Sequence, residues 1–165
     1  WNTSCDNIKD NPYQILFSVE DNGTPLFTDN VATQITIIPP QVTGVSASPV
    51  GNNVSLTWDP TGCNNAEGYR IYRTTSQSLN LPTDCCSDPN LNANGFMQIG
   101  QIFGINNTSF VDNEGLTLGL SYCYVVRAFY EIGKVESCPM SLVLIFCTNL
   151  VWLKLTGSWF VLDGF

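Results

Sequence analysis

Short runs in which apolar and polar residues alternate recur along this chain, separated by clusters of Gly, Asn, Asp and Pro. No stretch holds an apolar period near 3.6 for three helical turns, so the pattern predicts an all-β protein. The first run, Tyr13 to Val19, sets Tyr13, Ile15, Phe17 and Val19 on one face and Gln14, Leu16 and Ser18 on the other. Asp21-Asn22-Gly23-Thr24-Pro25 supplies a turn, and a second run from Val31 to Ile38 ends at Pro39-Pro40. Two strands alone bury too little to be stable. Residues 1–38 therefore read as the last hairpin of a preceding β domain, with the prolines, which have no amide donor, as a stiff linker.

Beyond the linker the strands become regular. Val42 to Ala47 predicts a first strand, and Pro49, Gly51 and Asn52 a turn. Val54, Leu56 and Trp58 alternate on the next, followed by Tyr69 to Arg73, Phe96 to Ile102, Ser109 to Val111, Tyr122 to Ala128, and a last strand after Ile132-Gly133. A polar stretch from Thr74 to Asn94 interrupts the series. About seven short strands at this spacing point to an immunoglobulin-like β-sandwich. Inward positions fall to Trp58, Tyr69, Ile71, Tyr122, Tyr124 and Val126, while Tyr72 and Cys123 fall on the outward face.

Composition narrows the function. Six basic against fourteen acidic residues give a net charge of −8 over 165 residues, which excludes nucleic acid and disfavours anionic membranes as partners. The chain has no histidine, so a Ser-His-Asp or Cys-His arrangement and any His-containing zinc site are excluded. The seven cysteines include no CxxC pair and read as disulfides rather than metal ligands, which implies an extracellular or cell-surface setting. The chain opens at Trp1 with no leader, as a mature piece of a longer protein would, and the odd cysteine suits a partner upstream.

Several motifs carry a more specific resemblance. Pro40-Gln41-Val42, Val54-Ser55-Leu56-Thr57-Trp58-Asp59-Pro60, Gly68-Tyr69-Arg70-Ile71-Tyr72-Arg73 and Leu116 to Ala128 resemble, in order, the opening, third strand and sixth strand of a fibronectin type III domain. The resemblance covers about residues 39–145 and implies that Tyr122 is a corner tyrosine bonded to the backbone of the preceding turn. Leu118 stands where that family usually has proline. Residues 1–38 resemble the end of a cadherin-like or Ig-like repeat. A finer likeness, to Bacteroidota surface proteins associated with gliding motility and exported by type IX secretion, rests on Cys5-Asp6-Asn7-Ile8, Val19-Glu20-Asp21-Asn22-Gly23-Thr24-Pro25, Gly62-Cys63, Tyr122-Cys123-Tyr124 and Glu136-Ser137-Cys138-Pro139. In the fibronectin type III topology Cys63 and Cys138 meet at one end, and Cys123 meets Cys85 or Cys86 at the other. Those are the expected disulfides.

Candidate chemistry is sparse. Asp21 or Asp112-Asn113-Glu114 could offer oxygens to calcium, but neither run has the alternating acidic ligands of a dedicated loop, and both look like ordinary turns. Asp84 and Asp88 flank the cysteine doublet with nothing to suggest a cleft, so no catalytic residue, cofactor or metal site is expected. The Asn-X-Ser/Thr sequences at Asn2, Asn22, Asn53, Asn106 and Asn107 would be glycan acceptors only in a eukaryotic secreted protein. Residues 146–165 form an apolar tail readable as a strand pair, an out-of-frame segment or, less favoured, a membrane anchor. The expected function is a non-catalytic structural or adhesive module that contacts neighbouring domains and other surface proteins. The alternative is a polysaccharide-contacting accessory domain of a secreted hydrolase, with Tyr72 on its ligand surface.

Overall fold

The computed structural model describes residues 2–75, 91–92, 95–130 and 135–137 with their side chains. It describes strands Phe146–Asn149, Trp152–Leu155 and Ser158–Val161 by their backbone. After a short 3-10 turn at Cys5–Asn7, β1 (Tyr13–Glu20) and β2 (Thr28–Ile35) pair antiparallel, from Tyr13 opposite Ile35 to Glu20 opposite Thr28. Asp21 closes the hairpin: its Oδ1 accepts from the Gly23 amide at 3.1 Å and the Phe27 amide at 2.9 Å.

The body is an immunoglobulin-like β-sandwich of two sheets. One sheet runs in the order β3 (Ser46–Val50), β4 (Asn53–Thr57), β7 (Ser109–Asp112). The other is built from β5 (Gly68–Thr74), β6 (Met97–Phe103), β8 (Ser121–Tyr130), β9 (Val135–Glu136) and β10 (Phe146–Asn149). Its order is β10-β8-β5-β6, with β9 also paired to β8. The expected single last strand is therefore two pieces on one edge of β8: β9 lies against Phe129 and Tyr130, and β10 against Ser121 to Tyr124. A further hairpin joins β11 (Trp152–Leu155) to β12 (Ser158–Val161), so the apolar tail takes a stranded form. Among the described residues no helix is long and apolar enough to cross a membrane.

Local sequence explains the boundaries. β3 starts at Ser46 rather than at the expected Val42, because Gly44 turns the chain with a φ of +62°, while Val42 and Val45 are buried as irregular backbone. The strand then runs through Pro49, which an edge strand tolerates, and turns at Gly51-Asn52 with Gly51 in the left-handed region. Gly100 on β6 leaves room for the Phe110 ring of the opposite sheet: a Cβ there would lie 2.6 Å from the ring, which would have to shift.

The core lies between the sheets. Tyr122, Tyr124, Val126, Ala128 and Tyr130 form one inward row on β8; Tyr69 and Ile71 stand beside them on β5; Val54 and Leu56 face them from β4. Trp58 is buried there and meets Tyr69 edge-on at 5.3 Å. Full burial of a side chain such as Leu56 contributes about 1.5–3 kcal/mol.

The outward face of the same sheet departs from expectation. Alternation does place Tyr72 and Cys123 outward, but both are buried, with Cys123 0% exposed. Tyr72, Leu91, Phe96 and Val125 form a second apolar cluster on that side. An antiparallel sheet can leave one face to water; here the outward row of Cys123, Val125, Arg127 and Phe129 is buried as well as the inward one. The expectation of an exposed Tyr72 failed because alternation reports which face a residue is on and not whether that face is covered.

The N-terminal segment is also joined to this body. Ile8 belongs to the sandwich core, and Cys5 and Ile37 pack against it, although all three precede the proline linker. The hairpin itself projects: Phe17, Val19 and Val31, on its apolar face, are exposed.

Candidate functional site

Three groups of side chains concentrate the chemistry. The first is covalent. Cys5 and Cys63 form a disulfide with their Cα atoms 5.4 Å apart, and Asn65 Nδ2 donates to the Cys5 carbonyl at 2.7 Å. The expected Cys63–Cys138 pairing is overturned. With Ile8 inserted in the core, the N-terminal segment is held against the loop after β4, and Cys5 takes Cys63. Cys123 is disulfide-bonded too, to a cysteine that is not among the described side chains. Cys85, Cys86 and Cys138, like Asp84 and Asp88, lie outside the described residues.

The second group sits within the sandwich. Arg73 Nη1 donates to both Asp112 oxygens, at 2.9 and 2.7 Å, and to the Glu114 carbonyl at 2.7 Å. Tyr124 donates to Asp112 Oδ2 at 2.8 Å, and burial, then that carboxylate, push its phenol pKa up. Beside it Tyr122 accepts the Thr117 amide at 2.7 Å, as the corner tyrosine was expected to bond the turn before it. Burial also raises the pKa of Tyr69 and of Tyr130. Tyr69 accepts from the Thr61 amide at 2.9 Å and donates to the Ile105 carbonyl at 2.8 Å.

The third group occupies the covered outer face. Glu136 holds Arg70 and the Tyr72 hydroxyl (2.8 Å) on one oxygen and Arg127 (3.0 Å) on the other. Arg127 Nε also donates to the Ser137 carbonyl at 2.6 Å, while Ser137 Oγ accepts the Ala128 amide at 2.9 Å. Burial first, then the Glu136 carboxylate, push the Tyr72 phenol up to about 12. For Arg70 burial works downward, but the Glu136 hydrogen bond and charge outweigh it and raise its pKa.

These arrangements hold strands together. Asp112, buried, and Glu136, half-buried, are each engaged by arginine and tyrosine, which joins β5 to β7 through Asp112 and β5 and β8 to β9 through Glu136. A general acid or base must instead reach substrate and titrate near the working pH. Among the described residues no group of three His, Cys, Asp or Glu could hold a metal ion. Asp21, considered for calcium, accepts its own turn amides, and Asp112 is bonded to Arg73.

The named core residues Trp58, Tyr69, Ile71, Tyr122, Tyr124 and Val126 are all brought together in one cluster. Cys5, Glu136 and the pairing of Arg73 with Asp112 were not anticipated. The available signal was a charged residue inside an otherwise apolar strand pattern, at Arg73 and Arg127, which requires a buried partner.

Several solved structures are similar to parts of this chain. An Fn3-like protein from Clostridium thermocellum is similar at 26% identity and a TM-score of 0.43, over 62% of this chain and 86% of that one. The FN1–FN3 domains of chicken CNTN1 align over 78% of this chain and 41% of theirs, at 16% identity and a TM-score of 0.46. Domains d3–d4 of the rat CD45 extracellular region align over 79% and 62%, at 15% identity and a TM-score of 0.41. No family model and no curated protein matches the chain.

Proposed function

We propose that this chain is a non-catalytic structural and adhesive module of an extracellular, multidomain surface protein. The observation that carries the reading is the Cys5–Cys63 disulfide, which fastens the segment leading into an exposed hairpin onto a sandwich whose buried charges are internally paired. Disulfides of this kind persist in oxidising compartments, which supports placement outside the cytoplasm. The finer assignment, to a bacterial surface protein associated with gliding motility and exported by type IX secretion, rests on the short motifs around Cys5, Cys63, Cys123 and Cys138. The accessory-domain reading loses its anchor, because Tyr72 is buried and bonded to Glu136.

The test is display of the whole chain on cells, with adhesion scored on protein-coated and polysaccharide-coated surfaces beside undisplayed controls. Retention on protein-coated surfaces supports the proposal. Retention confined to polysaccharide would transfer the chain to the accessory class, and no retention on either would remove the adhesive role.

A further inference from the structure

The Cys5–Cys63 bond spans 58 positions of sequence and closes them into a covalent ring. Inside that ring lie β1, β2, β3 and β4. Tension entering the chain ahead of Cys5 can reach Cys63 along the peptide or through one sulfur–sulfur bond. The bond keeps the ends of the peptide route together, so that route carries no tension while the bond stands.

The register shows what would happen otherwise. Tyr13 and Ile35, where the chain enters and leaves the hairpin, are paired at the same end of the ladder. Tension along the backbone would open such a hairpin one pair at a time, the weakest way to load it. Its apolar face, with Phe17, Val19 and Val31 exposed, offers little packing to resist this. Beyond Cys63 the tension passes instead into β5, which pairs along its whole length with β8 and is buried on both faces.

We propose that the Cys5–Cys63 disulfide is a tension bypass that delivers force on the N-terminal segment directly to the β5–β8 sheet and leaves the β1–β2 hairpin formed under strain. The adhesive reading supplies only the source of the tension, and the two can fail separately. The experiment is single-molecule stretching of the whole chain held at Trp1 and Phe165, oxidised, against the Cys5→Ser/Cys63→Ser double variant. The variant should release about 200 Å more contour length, from 58 residues at about 3.3–3.6 Å each, preceded by a low-force opening absent from the parent. Equal released lengths would overturn the bypass. If the variant does not fold, the parent is clamped at constant force and a thiol reductant is added. A single extension step of about 200 Å supports the proposal, and steps of other sizes alone overturn it. Failed adhesion with the longer release intact would remove the adhesive reading and leave the bypass standing.

Discussion

β1 and β8 are written in the same alternating style and have opposite fates. Tyr13, Ile15, Phe17 and Val19 line one face of β1, as Tyr122, Tyr124, Val126 and Ala128 line one face of β8. On β8 the alternate row is buried too, whereas most of β1 is open to solvent. The difference comes from what lies opposite. β8 has β4 and its neighbours across the core and Leu91 and Phe96 near its back, while β1 is joined to the body through the short Cys5–Ile8 segment. Alternation therefore specifies faces, and the rest of the chain decides which faces are covered.

Substitutions can break this contrast. Asp112→Ala should have the largest effect, about 3–5 kcal/mol, because it strands the Arg73 charge and leaves the Tyr124 hydroxyl without its acceptor. Urea unfolding measures it, and a loss under about 1 kcal/mol would mean that the pair contributes little to holding the sheets together. Leu56→Ala, at a position 0% exposed, should cost about 2–5 kcal/mol in the same assay.

Tyr72→Phe sharpens the contrast through pH. An unfolded tyrosine loses its proton near pH 10, whereas Tyr72 in the fold keeps it up to about 12. The fold binds the extra proton in that window, so this contribution is complete below about pH 10 and drains away as pH rises toward 12. The variant should lose stability less steeply across that interval, and unchanged slopes in alkaline denaturation curves would count against the buried assignment. Leu16→Ala closes the series. At 68% exposed it should shift stability by no more than about 0.5 kcal/mol, a tenth to a quarter of the Leu56 effect. Matched melting curves of the two alanine variants provide the check, and similar losses would show that the hairpin is covered.

Much of the sandwich was legible because its strands are short, regular and marked by turns: Trp58, Tyr69, Ile71, Tyr122, Tyr124 and Val126 all reach the core that their alternation predicted. The Cys5–Cys63 bond was not legible, because cysteine spacing leaves connectivity open and Cys5 precedes a double proline that reads as a boundary. Tyr72 misled because burial of an outward face depends on segments distant in sequence, here those carrying Leu91 and Phe96. Glu136 was hidden differently, since its role depends on two arginines brought from β5 and β8 to a two-residue strand.

β8 pairs with β5 on one edge, with β10 at Ser121 to Tyr124 and β9 at Phe129 and Tyr130 on the other, and is covered on both faces, which has a consequence for its amide hydrogens. Fraying or local opening cannot expose them to solvent water, so only complete unfolding lets deuterium in. The amides of Cys123, Tyr124 and Phe129, paired on both edges, should be the last among the described residues to take up the isotope, and their uptake rate reads the global stability of the fold directly. The β1–β2 ladder, labelled early, marks the other end of that scale.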